Sequence, residues 1–365
     1  MKVTNFFTFL LFLSITIDAN AQAKKFAIHT VAFYNLENFY DTINDPKTRD
    51  DEWVYTSEYY HKKVNNIAKV VSQLGSGENP NLPTIVGFAE VEHKSVLEDL
   101  VRNPLLIGGD YGIVHFESPD KRGIDCALIY QKKHFKVLSS ENVPLLIYEK
   151  NTKAEKKSKK EEVKEEDVDD KVELSDINKR IYTRDQILVT GLLDGEEVSF
   201  IVNHWPSRRG GEKISSPLRE MAAGLNVKII DSLQKINRNA KVIGMGDLND
   251  GPLNNSLKKV LNAKDDKKDV NPLGIYNPSE KMFKSGNSTL FYRDAGDIFD
   301  QIFMTEPLIR EDRSSYRYWK AGIYNKPFMI QTTGRYKGYP LRNNTLEPGY
   351  SDHLPAYIYL IKEVK

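Results

Sequence analysis

Apolar runs that end on a polar side chain recur along the chain. Four of them span residues 27–36, 84–91, 197–204 and 242–250. Near their ends stand, in chain order, Asn35, Glu90, His204 and Asp247. Short apolar runs of this kind predict buried strands. Polar residues at the ends of such strands lie at the sheet edge where α/β proteins usually place their active sites.

Further strands are predicted where apolar runs are bounded by residues typical of turns. Residues 111–118 and 125–131 predict neighbouring strands, and Gly195 predicts a hairpin between 186–193 and 197–204. Two late strands are expected at 297–304 and 356–361.

Two stretches repeat apolar residues at helical spacing. The first set is Tyr60, Val64, Ile67, Val71 and Leu74, and the second is Leu218, Ala222, Leu225, Ile229 and Leu233. We expect each helix to cover one face of a sheet, with the lysines of the first on its solvated side. Ser95 and Glu98 have the spacing of a capping box, and Ser216 with Pro217 predicts the start of the second amphipathic helix.

Composition favours one large domain over residues 22–365, because the polar strand ends are spread along the chain and must converge. The chain has 365 residues, and 40% of them are hydrophobic. A formal net charge of +1 gives no support from bulk basicity to a tight nucleic-acid binder. The single cysteine, Cys126, cannot form an intramolecular disulfide. Residues 149–178 are almost entirely charged or polar, which predicts an exposed, disordered insertion.

The first 21 residues resemble a secretory signal. Lys2 precedes an apolar run over residues 6–17, and a small-x-small cleavage site follows at residues 19–21. We expect export to the periplasm or the exterior, with the mature chain beginning near Gln22. No later stretch approaches the ~20 apolar residues of a membrane span. For the first 21 residues, an uncleaved anchor is the alternative to a cleaved signal.

The segment Gly246-Asp247-Leu248-Asn249 presents a carboxylate and an amide two residues apart. A carboxylate that holds a water and an amide that holds a phosphate oxygen suit phosphoester hydrolysis. The same residues are equally compatible with a turn whose Asp and Asn bond to the backbone.

Companion fragments stand on both sides of this segment in a fixed order. They are residues 33–38, 87–92, 203–208, 300–302 and 351–355. This ordered set resembles the endonuclease/exonuclease/phosphatase superfamily, which includes pancreatic deoxyribonuclease, exonuclease III-like nucleases, sphingomyelinases and inositol-polyphosphate phosphatases. The resemblance covers nearly the whole mature chain. It departs from the family at residue 89, where Ala replaces the usual Gln before Glu90.

The resemblance implies an α/β fold and a metal site. The fold is a four-layer α/β sandwich, in which two mixed β-sheets pack face to face with helices on the outer faces. The metal is expected to be Mg²⁺, with Mn²⁺ or Ca²⁺ as alternatives, on Glu90 with Asn35 and Asp352 nearby. A carboxylate on an apolar strand is costly unless it is paired or binds a cation, which also singles out Glu90. Asn35 alone is compatible with a turn.

The resemblance also implies catalytic roles. Asp247 positions or deprotonates a water, and Asn249 holds that water or the phosphate. His353 donates to the non-bridging phosphate oxygens, and Asp300 fixes its tautomer.

The remaining expected site residues surround this group. His204 is implied as a phosphate-binding residue and possible general acid, with Asp125 as a candidate partner. Substrate binding is assigned to Asn35, Arg184 and Arg208. For Arg122, a phosphate contact and a turn cation remain equally open.

Together these residues predict a Mg²⁺-dependent phosphodiesterase, most simply an endonuclease-like nuclease. A phosphomonoesterase, a lipid-headgroup phosphodiesterase and a non-catalytic secreted binding protein are the alternatives. The expected partner is a phosphate-ester substrate, with nucleic acid as one candidate. We expect a monomer without a stable protein partner or a membrane span in the mature chain. Specificity is expected in residues 306–350, where basic and aromatic residues interleave.

Overall fold

The computed structural model describes residues 25–50, 55–148 and 180–364. The expected signal, residues 1–21, and the charged insertion, residues 149–178, lie outside the described residues. All of the candidate site residues fall within the described ranges.

The first sheet contains both chain ends of the described fold. Its six strands, in spatial order, are β15 (Arg317–Ile323), β16 (Ala356–Val364), β1 (Lys25–Phe39), β2 (Ile85–Val91), β4 (Asp125–Gln131) and β3 (Tyr111–His115). The pair β1 and β2 is parallel, whereas the other neighbours are antiparallel. The sheet is therefore mixed.

The second sheet is also mixed and has six strands. In spatial order they are β11 (Ile275–Tyr276), β14 (Asp300–Thr305), β10 (Val242–Asp247), β9 (Glu196–His204), β8 (Gln186–Leu193) and β5 (Phe135–Val143). Only β9 and β10 run parallel, and β8 and β9 form the expected hairpin. Two small pairs complete the strands: β6 (Ile147–Tyr148) with β7 (Arg180–Ile181), and β12 (Leu290–Tyr292) with β13 (Ala295–Asp297).

The two sheets pack face to face because side chains alternate along each strand. In β1, Val31 and Phe33 join the apolar cluster between the sheets, whereas Ala32 and Tyr34 face the opposite side. Burial of each large apolar side chain contributes about 1.5–3 kcal/mol. The three resulting apolar clusters separate four layers, which confirms the predicted fold class.

Helices cover the outer faces. The described helices are α1 (Ser57–Val71), α2 (Lys94–Arg102), α3 (Glu212–Ile236) and α4 (Ser279–Lys284). The first two pack on the first sheet, and α3 packs on the second. Among the residues that the structure describes, no helix combines the length and apolar character needed to cross a bilayer.

The helix expected near Ser95 is present as α2, but its predicted cap is absent, and the predicted start of α3 is wrong. The residue before α2 is His93, and no side chain caps the helix, so Ser95 does not form the expected cap. Helix α3 begins at Glu212 and contains Pro217. Buried Arg219 reaches Glu212 at 2.8 Å and the Ser215 hydroxyl at 2.8 Å, which ties the extra first turn to the helix.

The parallel strand pairs bring the polar strand ends to one rim. Register pairs Asp247 with His204 across β10 and β9, and Asn35 with Ala89 across β1 and β2. A register shift follows Asn35, and Glu37 and Glu90 have positive φ angles of 51° and 62°. Such irregular backbone at a strand end changes the direction of the side chains.

Candidate active site

Asn35, Glu90, His204 and Asp247 meet at this rim. The Asn35 amide donates from Nδ2 to Oδ2 of Asp247 at 3.0 Å. Nε2 of His204 lies 3.6 Å from Oδ2 of Asp247 and 3.8 Å from Oε1 of Glu90. The structure therefore brings together residues from both sheets that the sequence placed at separate strand ends.

Asp247 is fixed from two sides. Its Oδ1 accepts the backbone N–H of Asn249 at 2.9 Å, in addition to the bond from Asn35 at Oδ2. Burial raises the pKa of the Asp247 carboxyl to about 6, although His353 pulls it down. Asn249 has a φ of 48° and donates from Nδ2 to the carbonyl of Trp205 at 3.0 Å. The Gly-Asp-x-Asn segment thus forms a rigid turn that holds the carboxylate in one orientation.

His353 and Asp300 form the expected pair. Nδ1 of His353 lies 2.7 Å from Oδ2 of Asp300, which confirms their predicted hydrogen bond. Burial lowers the pKa of His353, but Asp300 and Asp247 outweigh it and hold the pKa well above its ordinary value. Nε2 of His353 faces Oδ2 of Asp247 at 4.0 Å. Because Nδ1 is held by Asp300, Nε2 is the ring nitrogen that His353 presents to the rim.

A backbone link holds the His353 loop against β1. The Ser351 hydroxyl donates to the carbonyl of Asn35 at 2.8 Å and accepts the N–H of His353 at 3.0 Å. The diagnostic 351–355 segment is thus attached directly to the first motif.

The predicted pairing of Asp125 with His204 is wrong. Oδ1 of Asp125 accepts the N–H of Ser118 at 2.7 Å, and its Oδ2 faces Nε2 of His115 at 3.3 Å. In β4, Cys126 faces the space between the sheets, so Asp125 points to the opposite side. Nδ1 of His204 has no hydrogen-bond partner within the described ranges. Burial, with the positive charges of Arg184 and Arg122, lowers the pKa of His204 well below its ordinary value.

Glu90 is the carboxylate best placed to hold a cation at the rim. Its Oε2 accepts the N–H of Asn38 at 2.8 Å, and its side chain is 13% exposed. Oδ1 of Asn35 accepts the N–H of Glu37 at 2.9 Å. Asp352 is more open and lies 3.4 Å from Arg342.

The donor set at this rim fits a hard divalent cation. Burial, followed by the negative charge of Asp352, raises the pKa of Glu37 to about 8. Carboxylate and amide oxygens are the ligands preferred by Mg²⁺ and Ca²⁺. Two groups of three His, Asp or Glu residues in the described ranges have donor atoms within 4.8 Å of one another. Neither group lies at the rim, and neither includes a predicted ligand.

The two candidate substrate-binding arginines differ in position. Arg184 is buried and donates to Oδ2 of Asp120 at 3.0 Å and to the carbonyl of Trp205 at 2.6 Å. Its predicted direct phosphate contact is therefore corrected to a supporting position behind the rim. Arg208 is partly exposed and donates from Nε to the carbonyl of Asn249 at 2.9 Å. Its contact with substrate remains a prediction.

Two cations near the site were missed or left open by the sequence. Burial lowers the pKa of Arg122, but Glu90 and Asp120 outweigh it and raise the pKa above its ordinary value.

Lys63 was expected on the solvated side of α1 but is completely buried. Its Nζ donates to Oδ1 of Asn343 at 3.0 Å. Only the approach of residues 343–350 to α1, which the helical spacing does not reveal, explains this burial.

A cavity of about 380 Å³ opens beside Asp352. Arginine and aromatic side chains dominate its lining: Phe291, Tyr292, Arg293, Arg335, Tyr336, Tyr339 and Arg342. The rings of Phe291 and Tyr339 lie 5.1 Å apart. Residues 335–342 belong to the stretch in which we expect specificity, whereas residues 290–294 were not anticipated.

The buried carboxylate of Asp247, the imidazole of His353 and the oxygen donors around them at one rim are those of a metal-dependent phosphoric ester hydrolase. The sequence profile of the Endonuclease/Exonuclease/phosphatase family matches residues 30–169 and 157–362. The chain belongs to this family. None of the curated protein sequences compared with the chain matches it.

Solved structures with a similar fold include a family protein from Bacteroides thetaiotaomicron. It is 17% identical, with a TM-score of 0.53 over 94% of this chain and 98% of that one. A humanized TDP2 of D. rerio is 12% identical, with a TM-score of 0.52 over 91% and 98% of the two chains. A mannosyl-6-phosphatase of B. thetaiotaomicron is 17% identical, with a TM-score of 0.51 over 91% and 99%. At these identities the likeness shows the fold alone.

Proposed function

We propose that the protein is a Mg²⁺-dependent phosphodiesterase that cleaves nucleic acid as an endonuclease-like nuclease. The observation that carries this proposal is the arginine and aromatic cavity beside Asp352, at the edge of the catalytic rim. Bases stack on aromatic rings, and guanidinium groups hold phosphates in bidentate geometry. A nucleotide next to the scissile bond therefore has matching groups in this cavity.

Activation of the attacking water is assigned to Asp247. Its two oxygens are oriented by Asn35 at 3.0 Å and by the N–H of Asn249 at 2.9 Å. A carboxylate held in this way can position a water for in-line attack and accept its proton. Asn249 is assigned to hold the water or the phosphate.

Stabilisation of the negative charge is assigned mainly to His353. Asp300 holds Nδ1 at 2.7 Å, which leaves Nε2 to donate to a non-bridging phosphate oxygen. Preoriented donors of this kind stabilise charge that develops in the transition state. His204, between Glu90 and Asp247, is assigned a second contact to the phosphate.

Glu90, with Asn35 and Asp352, would hold the Mg²⁺ ion, which polarises a phosphoryl oxygen when it is bound. No residue of the chain is required to form a covalent intermediate.

A substrate panel tests this proposal. Purified protein is incubated in Mg²⁺ with plasmid DNA, RNA, sphingomyelin, inositol phosphates and sugar phosphates, with Asp247→Asn as the inactive control. Nicking of plasmid DNA or cleavage of RNA by wild type alone supports the nuclease. Turnover confined to another substrate replaces the nuclease with that activity, and no turnover of any substrate favours a binding protein.

A phosphomonoesterase is the second candidate function. A cavity of about 380 Å³ is the size of a small-molecule site, and a net charge of +1 provides no broad basic surface. The mannosyl-6-phosphatase with the same fold illustrates this chemistry in another protein. A lipid-headgroup phosphodiesterase is tested by the sphingomyelin arm of the panel.

We also propose that the mature chain begins near Gln22 and works as a monomer outside the cytoplasm. N-terminal sequencing of the protein recovered from the exported fraction tests the cleavage position. An intact N-terminus in the membrane fraction would support the uncleaved anchor instead.

A further inference from the structure

A second group of metal-ligating side chains lies on the outer face of the first sheet, next to α2. It consists of His93, His115, Glu117 and Asp125, and we refer to it as the His115 cluster. His115 ends β3, Asp125 begins β4, and His93 immediately precedes α2. Because Val114 and Cys126 face the space between the sheets, their neighbours His115 and Asp125 point away from it. The cluster is therefore separate from the catalytic rim.

The donor atoms of the cluster are close together. Nε2 of His115 lies 3.3 Å from Oδ2 of Asp125. One ligand atom from each of His115, Glu117 and Asp125 lies within 4.8 Å of the other two. Nδ1 of His93 lies 3.1 Å from Oε1 of Glu117. His115, Glu117 and Asp125 thus form a compact group, and His93 adjoins it through Glu117.

Two of these donor atoms are buried and, in the described part of the chain, have no hydrogen-bond partner apart from each other. They are Nε2 of His115 and Oδ2 of Asp125, 3.3 Å apart, whose side chains are only 4% and 1% exposed. The other oxygen of Asp125 is satisfied by the N–H of Ser118. Buried polar atoms with so few partners are rare, and a bound ion is one established reason for them.

The distance between Nε2 of His115 and Oδ2 of Asp125 matches that between two ligands of one tetrahedral metal ion. Zinc bonds of about 2.0–2.1 Å to nitrogen and oxygen place neighbouring ligand atoms about 3.3–3.4 Å apart. The observed distance from His115 to Asp125 is 3.3 Å, which is long for a charged hydrogen bond. Imidazole ligands favour zinc and similar transition metals over Mg²⁺.

We propose that the His115 cluster binds one Zn²⁺-like transition-metal ion, with His115, Asp125 and Glu117 as ligands and His93 as the fourth. The ion joins the β3–β4 connection to the start of α2. Since Asp125 pairs in register with Val91, the site also supports the end of β2, which carries Glu90.

A comparable cluster at another position provides an internal control. His29, His134 and Asp194 also have donor atoms within 4.8 Å of one another. There, however, Asp194 accepts from His29 at 2.7 Å, from His134 at 3.0 Å and from Tyr316 at 2.6 Å. This second cluster is explained by hydrogen bonds alone, so no metal is assigned to it.

Calorimetric titration with Zn²⁺ tests the proposal. The full chain is stripped with a chelator and titrated in excess Mg²⁺, which occupies sites that prefer a hard ion. We expect wild type to bind one Zn²⁺, and His115→Gln and Asp125→Asn each to weaken binding by more than about 10-fold. His134→Gln and the exposed-site control His61→Gln should bind as wild type does. Titration with Co²⁺ should give the absorption bands of a tetrahedral complex in wild type and lose them in His115→Gln.

Folding is checked separately by circular dichroism. If a buried variant fails to fold, His93→Gln reports instead, because His93 is partly exposed, and it should also weaken Zn²⁺ binding. Absence of Zn²⁺ binding to wild type overturns the proposal. Zn²⁺ binding that survives in folded His115→Gln also overturns it, as does binding that survives in His93→Gln when His115→Gln does not fold. Loss of binding only in His134→Gln overturns it as well.

Discussion

Replacement of Asp300 by Asn removes one negative charge from the rim while the size of the side chain is kept. Asp300 is completely buried, and its Oδ2 lies 2.7 Å from Nδ1 of His353. A hydrogen bond to a charged partner contributes about 1.5–3 kcal/mol. Since about 1.4 kcal/mol corresponds to a tenfold change in rate, we expect Asp300→Asn to lower kcat about 10- to 150-fold. KM should change less, because His353 is assigned to charge that develops in the transition state.

The pH profile gives a second signature of the same change. Asp300 helps to hold the pKa of His353 above its ordinary value, against burial. Loss of its charge should let His353 lose its proton at lower pH, which moves the alkaline limb of kcat toward neutrality. Both quantities are measured with a chromogenic phosphodiester in excess Mg²⁺, and Asp231→Asn on the exposed side of α3 is the matched control. A folded Asp300→Asn protein with wild-type kcat and an unchanged profile would refute the role given to this pair.

Three further predictions concern stability and selectivity. Lys63→Met should destabilise the protein by about 1–3 kcal/mol in urea unfolding, because it removes the buried donor to Oδ1 of Asn343 and to the carbonyl of Tyr350. Burial raises the pKa of Asp194, but hydrogen bonds from Tyr316 and two histidines outweigh it and bring the pKa to about 2. This lowered pKa stabilises the fold at pH values above the ordinary pKa of Asp, and the stabilisation is lost as the pH falls toward 2. The unfolding free energy of Asp194→Asn should therefore fall less steeply than that of wild type between about pH 4 and 2. Arg335→Gln, in the cavity beside Asp352, should raise KM for the preferred substrate several-fold with little change in kcat, and equal KM values would remove the cavity from substrate binding.

The strand ends were predictable from the sequence because each is a local pattern. Apolar runs that stop on Asn35, Glu90, His204 and Asp247 reveal buried strands and their polar ends, and the structure brings these four residues together. The pairing of His353 with Asp300 followed from family resemblance and not from spacing, since 53 residues separate them.

The misplaced residues depend on packing partners far away in the chain. Asp125 stands one position from Cys126, and the direction of its side chain depends on which face of β4 is buried. Lys63 is buried because residues near Asn343 cover α1, a contact across 280 residues. Helix α3 begins before Pro217 because Arg219, which bonds to the first turn of the helix, is also paired with buried Asp250, 31 residues away. Local propensity cannot reveal any of these three contacts.

The central claim is that Asp247 activates water for phosphoester hydrolysis at the rim where the two sheets meet. The most direct test is single-turnover hydrolysis of the best substrate by Asp247→Asn in Mg²⁺, with metal binding measured on the same preparation. We expect retained metal binding and a rate lower by about 10²- to 10⁴-fold, the usual contribution of a positioned general base. A variant that binds metal and hydrolyses the substrate at the wild-type rate would contradict it.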